Sequence, residues 1–540
     1  MTPREFIRPR GALASRLAAV ALTASLFGLG ACNESFVPNY NYLSALSVSQ
    51  GGVDAAMNGT YNARSDAGNW ATWSSGFGRE ATYFTFSESR FVTELTGVSF
   101  PQSTDFIGTT VWDVEFQSVK TADSAEKIVE ELVAGGASAA GGEASWGALE
   151  TGKALAYMYA AESRDSLGVP INAVGQTKPP FAPILCNQLV WAQIVAMLDS
   201  AADSLTAAGA GTSIPGTLPA GLAQVGGSAG SFQSLTFSLR AKARVEYAYA
   251  IVRQAGGPVL APLTNAAAVA QLDSAKTDIT NSTVIYSTTL SPSEAVPAAD
   301  PGAFFTFSTL SNDVVNPIFG FIKGYYALVP YVNGIGSGIG TPPGSGPNSP
   351  VDTADLRWKA KFSFVISNGV PFIPGSANPQ LSSSWNYRNN LTGSTPLPII
   401  RNVELQFIMA RAQLGLGDLA GAVTTINNVR TGVGHVAPLT PALTFASVAS
   451  FIITEARLTF IAEGTGEDIM PTRDYGLEST YMITAGPSDF QWTTLPIPIE
   501  ESSPRNGDVT PVCTGAAAHT APAPKAVKVA PKGRTTIRLH

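Results

Sequence analysis

Histidine is almost missing from this chain: there are three in 540 residues, and only His435 lies outside the last stretch of sequence. One histidine cannot build a multi-histidine metal centre or a zinc-protease motif. A Ser-His-Asp triad would rest wholly on His435, and no G-x-S-x-G elbow leads into a helix. A G-x-x-x-x-G-K-[ST] phosphate loop and a C-x-x-C pair are also missing, and no motif calls for a cofactor. Charge is sparse, at 14% of residues, so the surface must be largely Ser, Thr, Asn and Gly. The formal net charge is -7, and between residues 32 and 508 it is about -15, which makes nucleic-acid phosphates unsuitable partners. Carboxylate-only catalysis is the route that counting leaves open, because 40 residues are acidic. After residue 31 no apolar run is long enough to span a bilayer.

Apolar residues are plentiful, at 45%, so most of the chain can bury a core and does not read as disordered. The length suggests two domains or one large superhelical array. The 52 glycines and 37 prolines imply many loops.

The amino terminus carries the sharpest local signal. Arg8 to Arg16 gives a positive flank, Leu17 to Ala31 is uncharged and mostly apolar, and Leu29-Gly30-Ala31-Cys32 closes the stretch. This is a secretory leader over 1–31, and its last four residues match the bacterial lipobox, in which the cysteine thiol takes a diacylglycerol. Cys32 is therefore the expected lipidation site. Buried acyl chains contribute about 0.8 kcal/mol per methylene, so three chains hold a protein on a membrane without a transmembrane helix.

Beyond the leader, 51–65 reads as a helix, followed by an aromatic region to about 108 containing Trp70, Trp73, Tyr83, Phe84 and Phe86. From Val111 the periodicity becomes helical: Trp112, Phe116, Val119, Ala122, Ala125, Ile128 and Leu132 share one face. Further helices are expected at 145–167, 187–208, 231–255 and 262–275, with small residues such as Ala154, Ala156, Ala160 and Ala161 permitting close approach. Such a series reads as helical hairpins stacked side by side. Between 276 and 400 the texture turns β-branched and aromatic, and Ala303 to Leu310, Ile318 to Lys323 and Lys361 to Ile366 are short strands or extended segments. Helices return at 402–416, 418–430 and 444–464. Gly415-Leu416-Gly417-Asp418 with Ala422 resembles the turn of a tetratricopeptide hairpin, glycine ending one helix and aspartate capping the next. Residues 504–540 lack periodicity and read as a disordered basic tail. Cys186 and Cys513 could pair, but Cys513 lies in that tail, so a disulfide is the lesser of the two readings.

A flat aromatic face with amides and charges at its rim is a general ligand-binding chemistry. Trp385-Asn386-Tyr387-Arg388 offers that mixture, and Trp70, Trp73, Tyr325 and Tyr326 are second candidates. Trp112, Trp146 and Trp191 fit helix periodicity and are expected in the core. Glu404, Glu455, Arg457, Glu463, Asp468 and Arg473 invite an acid/base assignment, but their helical spacing suits buried ion pairs joining hairpins better.

Taken in order, several landmarks resemble the SusD/RagB family of outer-membrane nutrient-binding lipoproteins. After the lipobox come Ala55, Asn58, Gly59 and Tyr61, like the family's N-G-x-Y helix, then the Trp112 to Leu132 helix and Leu167-Gly168-Val169-Pro170. Asn316-Pro317-Ile318-Phe319 and Asp355-Leu356-Arg357 follow. The carboxy-terminal half matches best, with Arg401, Glu404, Ala410, Ala412, Ala422, Ile426, Asn427 and Arg430, then Glu455-Ala456-Arg457, Glu463-Gly464, Asp468 and Arg473, and finally Leu495-Pro496-Ile497-Pro498 with Glu500. Arg411 stands where the family usually has glutamate and Gly466 where it usually has arginine, which puts local salt bridging in doubt.

The resemblance implies a mainly α fold: tetratricopeptide-like hairpins forming a superhelical scaffold with a loop-rich ligand-facing side. It divides the chain into an N-terminal region, 32–275, and a C-terminal region, 276–503. It implies a non-enzymatic, lipid-anchored protein on the outer cell surface, capturing oligosaccharides or peptides for a SusC-like TonB-dependent barrel. Family members share no ligand-binding motif, so no site residue is carried over. The competing readings are a helical glycoside hydrolase with two carboxylates about 5–10 Å apart in a cleft, and an envelope scaffold that binds no small molecule.

Overall fold

The computed structural model describes residues 49–61, 74, 81–83, 102–171, 181–216, 218–306, 325–327, 355–364, 385–387, 396–461, 463–481 and 494–513. Contacts divide the chain at residue 45, and every described residue belongs to the unit Leu46–His540.

Thirteen α-helices are found among the described residues. The first six are α1 (Gln50–Tyr61), α2 (Phe106–Ala134), α3 (Ala139–Arg164), α4 (Asn187–Ala208), α5 (Ala229–Gly256) and α6 (Ala266–Asn281). They are followed by α7 (Leu356–Lys361), α8 (Asn402–Gly415), α9 (Leu419–Val429), α10 (Phe445–Phe460), α11 (Ile469–Asp474), α12 (Glu478–Tyr481) and α13 (Ile499–Ser502). The long helices pack as neighbours in series, α2 on α3, α3 on α4, α4 on α5 and α5 on α6; α8 then packs on α6 and α9. This serial packing is the helical-hairpin scaffold that the periodicity predicts.

Local chemistry explains where the helices begin. The Ser138 hydroxyl accepts from the Gly141 N–H, Ser228 and Ser231 form a capping box, and the Asn265 side chain accepts from Ala267 and Ala268. At the tetratricopeptide-like turn, Gly417 adopts φ +82° and the Asp418 carboxylate accepts from the Gly421 N–H at 2.9 Å. The turn reading therefore holds in both parts.

The helix interfaces depend on small residues. A Cβ on Gly147 would lie 2.9 Å from the Ala201 carbonyl oxygen of α4, and one on Gly152 would lie 2.4 Å from the Thr60 methyl of α1. Those two positions let α3 sit close between its neighbours. The expected face of α2 is buried at Trp112, Val119, Ala122, Ala125 and Ile128, with Phe116 and Leu132 at its margin. Trp112, Trp146 and Trp191 are all buried, as their spacing predicts.

Eight short strands are found among the described residues: β1 (Ala81–Tyr83), β2 (Val169–Pro170), β3 (Ile184–Leu185), β4 (Gly302–Phe305), β5 (Tyr325–Ala327), β6 (Phe362–Phe364), β7 (Trp385–Tyr387) and β8 (Leu397–Arg401). β2 pairs with β3, β4 pairs with β8, and the other four form one antiparallel sheet in the order β1-β5-β7-β6. The extended segments read at 303–310 and 361–366 are strands over Gly302–Phe305 and Phe362–Phe364, while 318–323 lies outside the described residues.

Residue 275 falls within α6, and α5 and α6 both contact α8 within one continuous core. The disordered tail expected from residue 504 is corrected over 504–513. Residues Ser503–Arg505 form a 3-10 turn, and Val512 bridges Leu185 in parallel register. That pairing partner is hundreds of residues away, so no local periodicity could announce it. Among the described residues, no helix is long and apolar enough to cross a membrane.

Candidate functional site

The four-stranded sheet brings together four of the aromatic candidates. Its register aligns Tyr83 with Tyr325, Thr82 with Tyr326 and Ala81 with Ala327. Tyr326 lies opposite Asn386, and Phe362, Ser363 and Phe364 lie opposite Tyr387, Asn386 and Trp385. Continuing the Tyr326/Asn386 register by one residue sets Tyr325 level with Tyr387. One row across the sheet therefore reads Tyr83, Tyr325, Tyr387, Phe362, and the row two residues along reads Ala81, Ala327, Trp385, Phe364.

Strand positions alternate between faces with a period of two, so these two rows belong to one face and the row Thr82, Tyr326, Asn386, Ser363 to the other. Six of the eight positions on the first face are aromatic. Trp385, Tyr387 and Tyr325 share it, whereas Tyr326 takes the opposite one. Trp70, Trp73, Arg388 and Cys32 lie outside the described residues. The sequence reading passed over Phe362 and Phe364 as site residues, although their spacing of two, repeated at Trp385 and Tyr387, is a strand signature.

The charged candidates lie elsewhere, between helices. Lys242 of α5 meets Glu162 of α3 at 3.0 Å and Glu404 of α8 at 3.3 Å. Arg357 pairs with Asp355 and with Glu455, at 2.6 and 2.9 Å, and Arg430 also reaches Glu455. Arg401 holds Glu463 at 2.9 Å and Asp300 at 2.7 Å, and Lys361 adds a second cation to Glu463. Arg473 donates to the Glu162 carbonyl oxygen at 2.8 Å. Arg457 sits 5.9 Å from the Tyr481 ring centroid, and the Asp468 carbonyl accepts from Thr472. For Glu404, Glu455 and Glu463 the contacts are the buried ion pairs the spacing suggests, whereas these contacts of Arg457, Asp468 and Arg473 involve a ring and backbone groups.

Arg411 departs from the family pattern yet meets three carboxylates. It contacts Glu246, Glu467 at 3.3 Å and Asp474 at 2.6 Å. The doubt raised over salt bridging here is resolved by partners on α5 and on the 466–474 segment, which local sequence could not supply. At Gly466, φ is +72° and an added Cβ would stand 3.0 Å from a Glu162 carboxylate oxygen.

Burial raises several of these carboxylates. Burial lifts Glu162 to about 7 and Glu404 to about 8 against the pull of Lys242, and it lifts Asp474 to about 7 with help from Glu246. Asp165 goes the other way: burial opposes its ionisation, but Arg473 and Arg253 hold it at about 2. Raised carboxylates often mark catalytic sites. These ones, however, are sealed in helix interfaces, with Glu162 and Glu404 both 0% exposed. Among the described residues, no group of His, Cys, Asp and Glu is placed to hold a metal ion.

No protein-family model matches the sequence, and none of the curated proteins does. Solved structures do match. A SusD superfamily protein from Bacteroides vulgatus ATCC 8482 is 14% identical with a TM-score of 0.54, over 86% of this chain and 98% of its own. A SusD-like carbohydrate binding protein from the same organism is 14% identical with a TM-score of 0.53, over 78% and 83%. A third protein, solved with xylogluco-oligosaccharide, is 15% identical with a TM-score of 0.56, over 86% and 99%. At these identities the likeness is one of fold, and it extends over 83–99% of each relative.

Proposed function

We infer from a SusD-like fold and an aromatic sheet face that this chain is a non-catalytic lipoprotein that captures oligosaccharides at the outer cell surface and delivers them to a SusC-like TonB-dependent barrel. The observation that carries the reading is the alignment of Tyr83, Tyr325, Tyr387 and Phe362 in one row, with Trp385 and Phe364 beside them. Aromatic positions gathered on one face suit the apolar faces of a run of sugar rings. A protein of the same fold has been solved with a xylogluco-oligosaccharide. The buried, ion-paired state of Glu404, Glu455 and Glu463 supports binding without hydrolysis, since a hydrolase needs its two carboxylates in an open cleft.

Screening the purified full chain on a glycan array, beside an assay for released sugar, tests this directly. Saturable binding to at least one oligosaccharide with no product is expected. Turnover that a single carboxylate substitution abolishes would replace this reading with the hydrolase.

The anchor makes a separate prediction. Lipidation at Cys32 supplies the membrane attachment in this reading, so Cys32→Ala should move the protein from the detergent phase to the aqueous phase. Unchanged retention of the variant on membranes would remove Cys32 from that role.

A further inference from the structure

Cys186 and Cys513, whose pairing is the lesser reading from sequence, are brought together at the start of α4. The Cys186 N–H donates to the Val512 carbonyl at 3.0 Å, and the Val512 N–H donates to the Ile184 carbonyl at 2.8 Å. Leu185 and Val512 form a parallel bridge, so the next residues along, Cys186 and Cys513, run side by side. Neighbouring strands lie about 4.7–4.9 Å apart, inside the Cα separation of about 4.4–6.8 Å that a disulfide spans. The two thiols are within hydrogen-bonding reach of each other and carry no bond between them. Cys186 is buried, whereas Cys513 is partly exposed.

We propose that Cys186 and Cys513 are a disulfide site, oxidised after the chain leaves the cytoplasm, which fastens the Pro511–Cys513 segment to the amino-terminal end of α4. The co-reactant is a disulfide oxidant, either a small-molecule disulfide or a thiol oxidoreductase. The exposed Cys513 thiolate attacks one oxidant sulfur, breaking its S–S bond and releasing one oxidant thiolate. Cys186, once deprotonated, attacks Cys513 Sγ and releases the second. Two cysteine thiols lose two electrons and two protons, and the oxidant disulfide becomes two thiols. Burial pushes the Cys186 thiol up to about 11, so its attack is the slower step near neutral pH. The two backbone bonds of Val512 hold the pair in place and favour that second step over escape of the mixed disulfide. This site is independent of which ligand the aromatic face takes.

The test uses the full chain carrying Cys32→Ser, so that only these two thiols remain. The protein is incubated folded with oxidised glutathione, denatured, alkylated and mapped by mass spectrometry. The expected result is loss of both alkylatable thiols and a linked peptide pair containing Cys186 and Cys513 that reductant separates. Adding Cys513→Ser should leave Cys186 without any intramolecular link. Two thiols that stay alkylatable, or glutathione held separately on each cysteine, would overturn the proposal.

Discussion

Replacing Arg411 with leucine should destabilise the protein by about 3–5 kcal/mol, the cost of removing one partner from a buried ion pair. Arg411 is fully buried and faces three carboxylates, Glu246, Glu467 and Asp474, from two separate parts of the chain. Leucine fills part of the space, but the three acids remain buried without Arg411, and among the described residues only Asp474 keeps a second paired cation, Arg253 at 3.3 Å. Glu467 and Asp474 already have raised pKa values through burial, with Arg411 pulling them down. Losing that pull raises them further in the folded state only. Folding then takes up protons above the unfolded carboxylate range, so the deficit should be fullest near neutral pH. It should shrink as pH falls toward that range, where the acids are protonated both folded and unfolded. Urea melts of parent and variant at two pH values measure both effects. A loss below about 1 kcal/mol at pH 7 would mean the network contributes little, as exposed pairs do.

Truncating Trp385 and Tyr387 to alanine should each weaken oligosaccharide binding by about 1–3 kcal/mol, roughly 5- to 150-fold. That range is for a base on an aromatic ring, taken here for a pyranose on the same kind of surface. Tyr325→Ala, on the same face, should behave likewise. Tyr326→Ala is the control, because the register puts position 326 on the other face with Asn386. Calorimetric titration and thermal melts separate binding from folding. Weakened binding with melting nearly unchanged is the expected pattern. A lowered melting temperature with intact affinity would show that these aromatics pack the sheet and do not carry ligand.

The helical scaffold was legible because its information is local. The Trp112 to Leu132 periodicity and the Gly417-Asp418 turn each declare themselves within a few residues, and the helices appear close to the predicted positions. The sheet was not legible as a sheet, although Trp385 and Tyr387 were recognised as candidates by composition. Each of its strands is three residues long, and the partner of Tyr83 lies at Tyr325. No window of sequence contains both. The same limit hid the partners of Arg411, whose substitution read as a loss until Glu246 and Asp474 were found around it. It also hid Val512, which pairs across most of the chain.

The contrast between serially packed helices and a sheet gathered from distant segments sets an order of assembly. Hairpins such as α2 with α3 close short loops, whereas β1 must wait for β5, and β7 for both β5 and β6. Loop closure costs more entropy over longer separations, and contacts distant in sequence form late. The aromatic face is therefore completed last during folding and opens first under stress. A partly denatured molecule of this protein should keep its helices after it has lost the sheet proposed to meet the ligand.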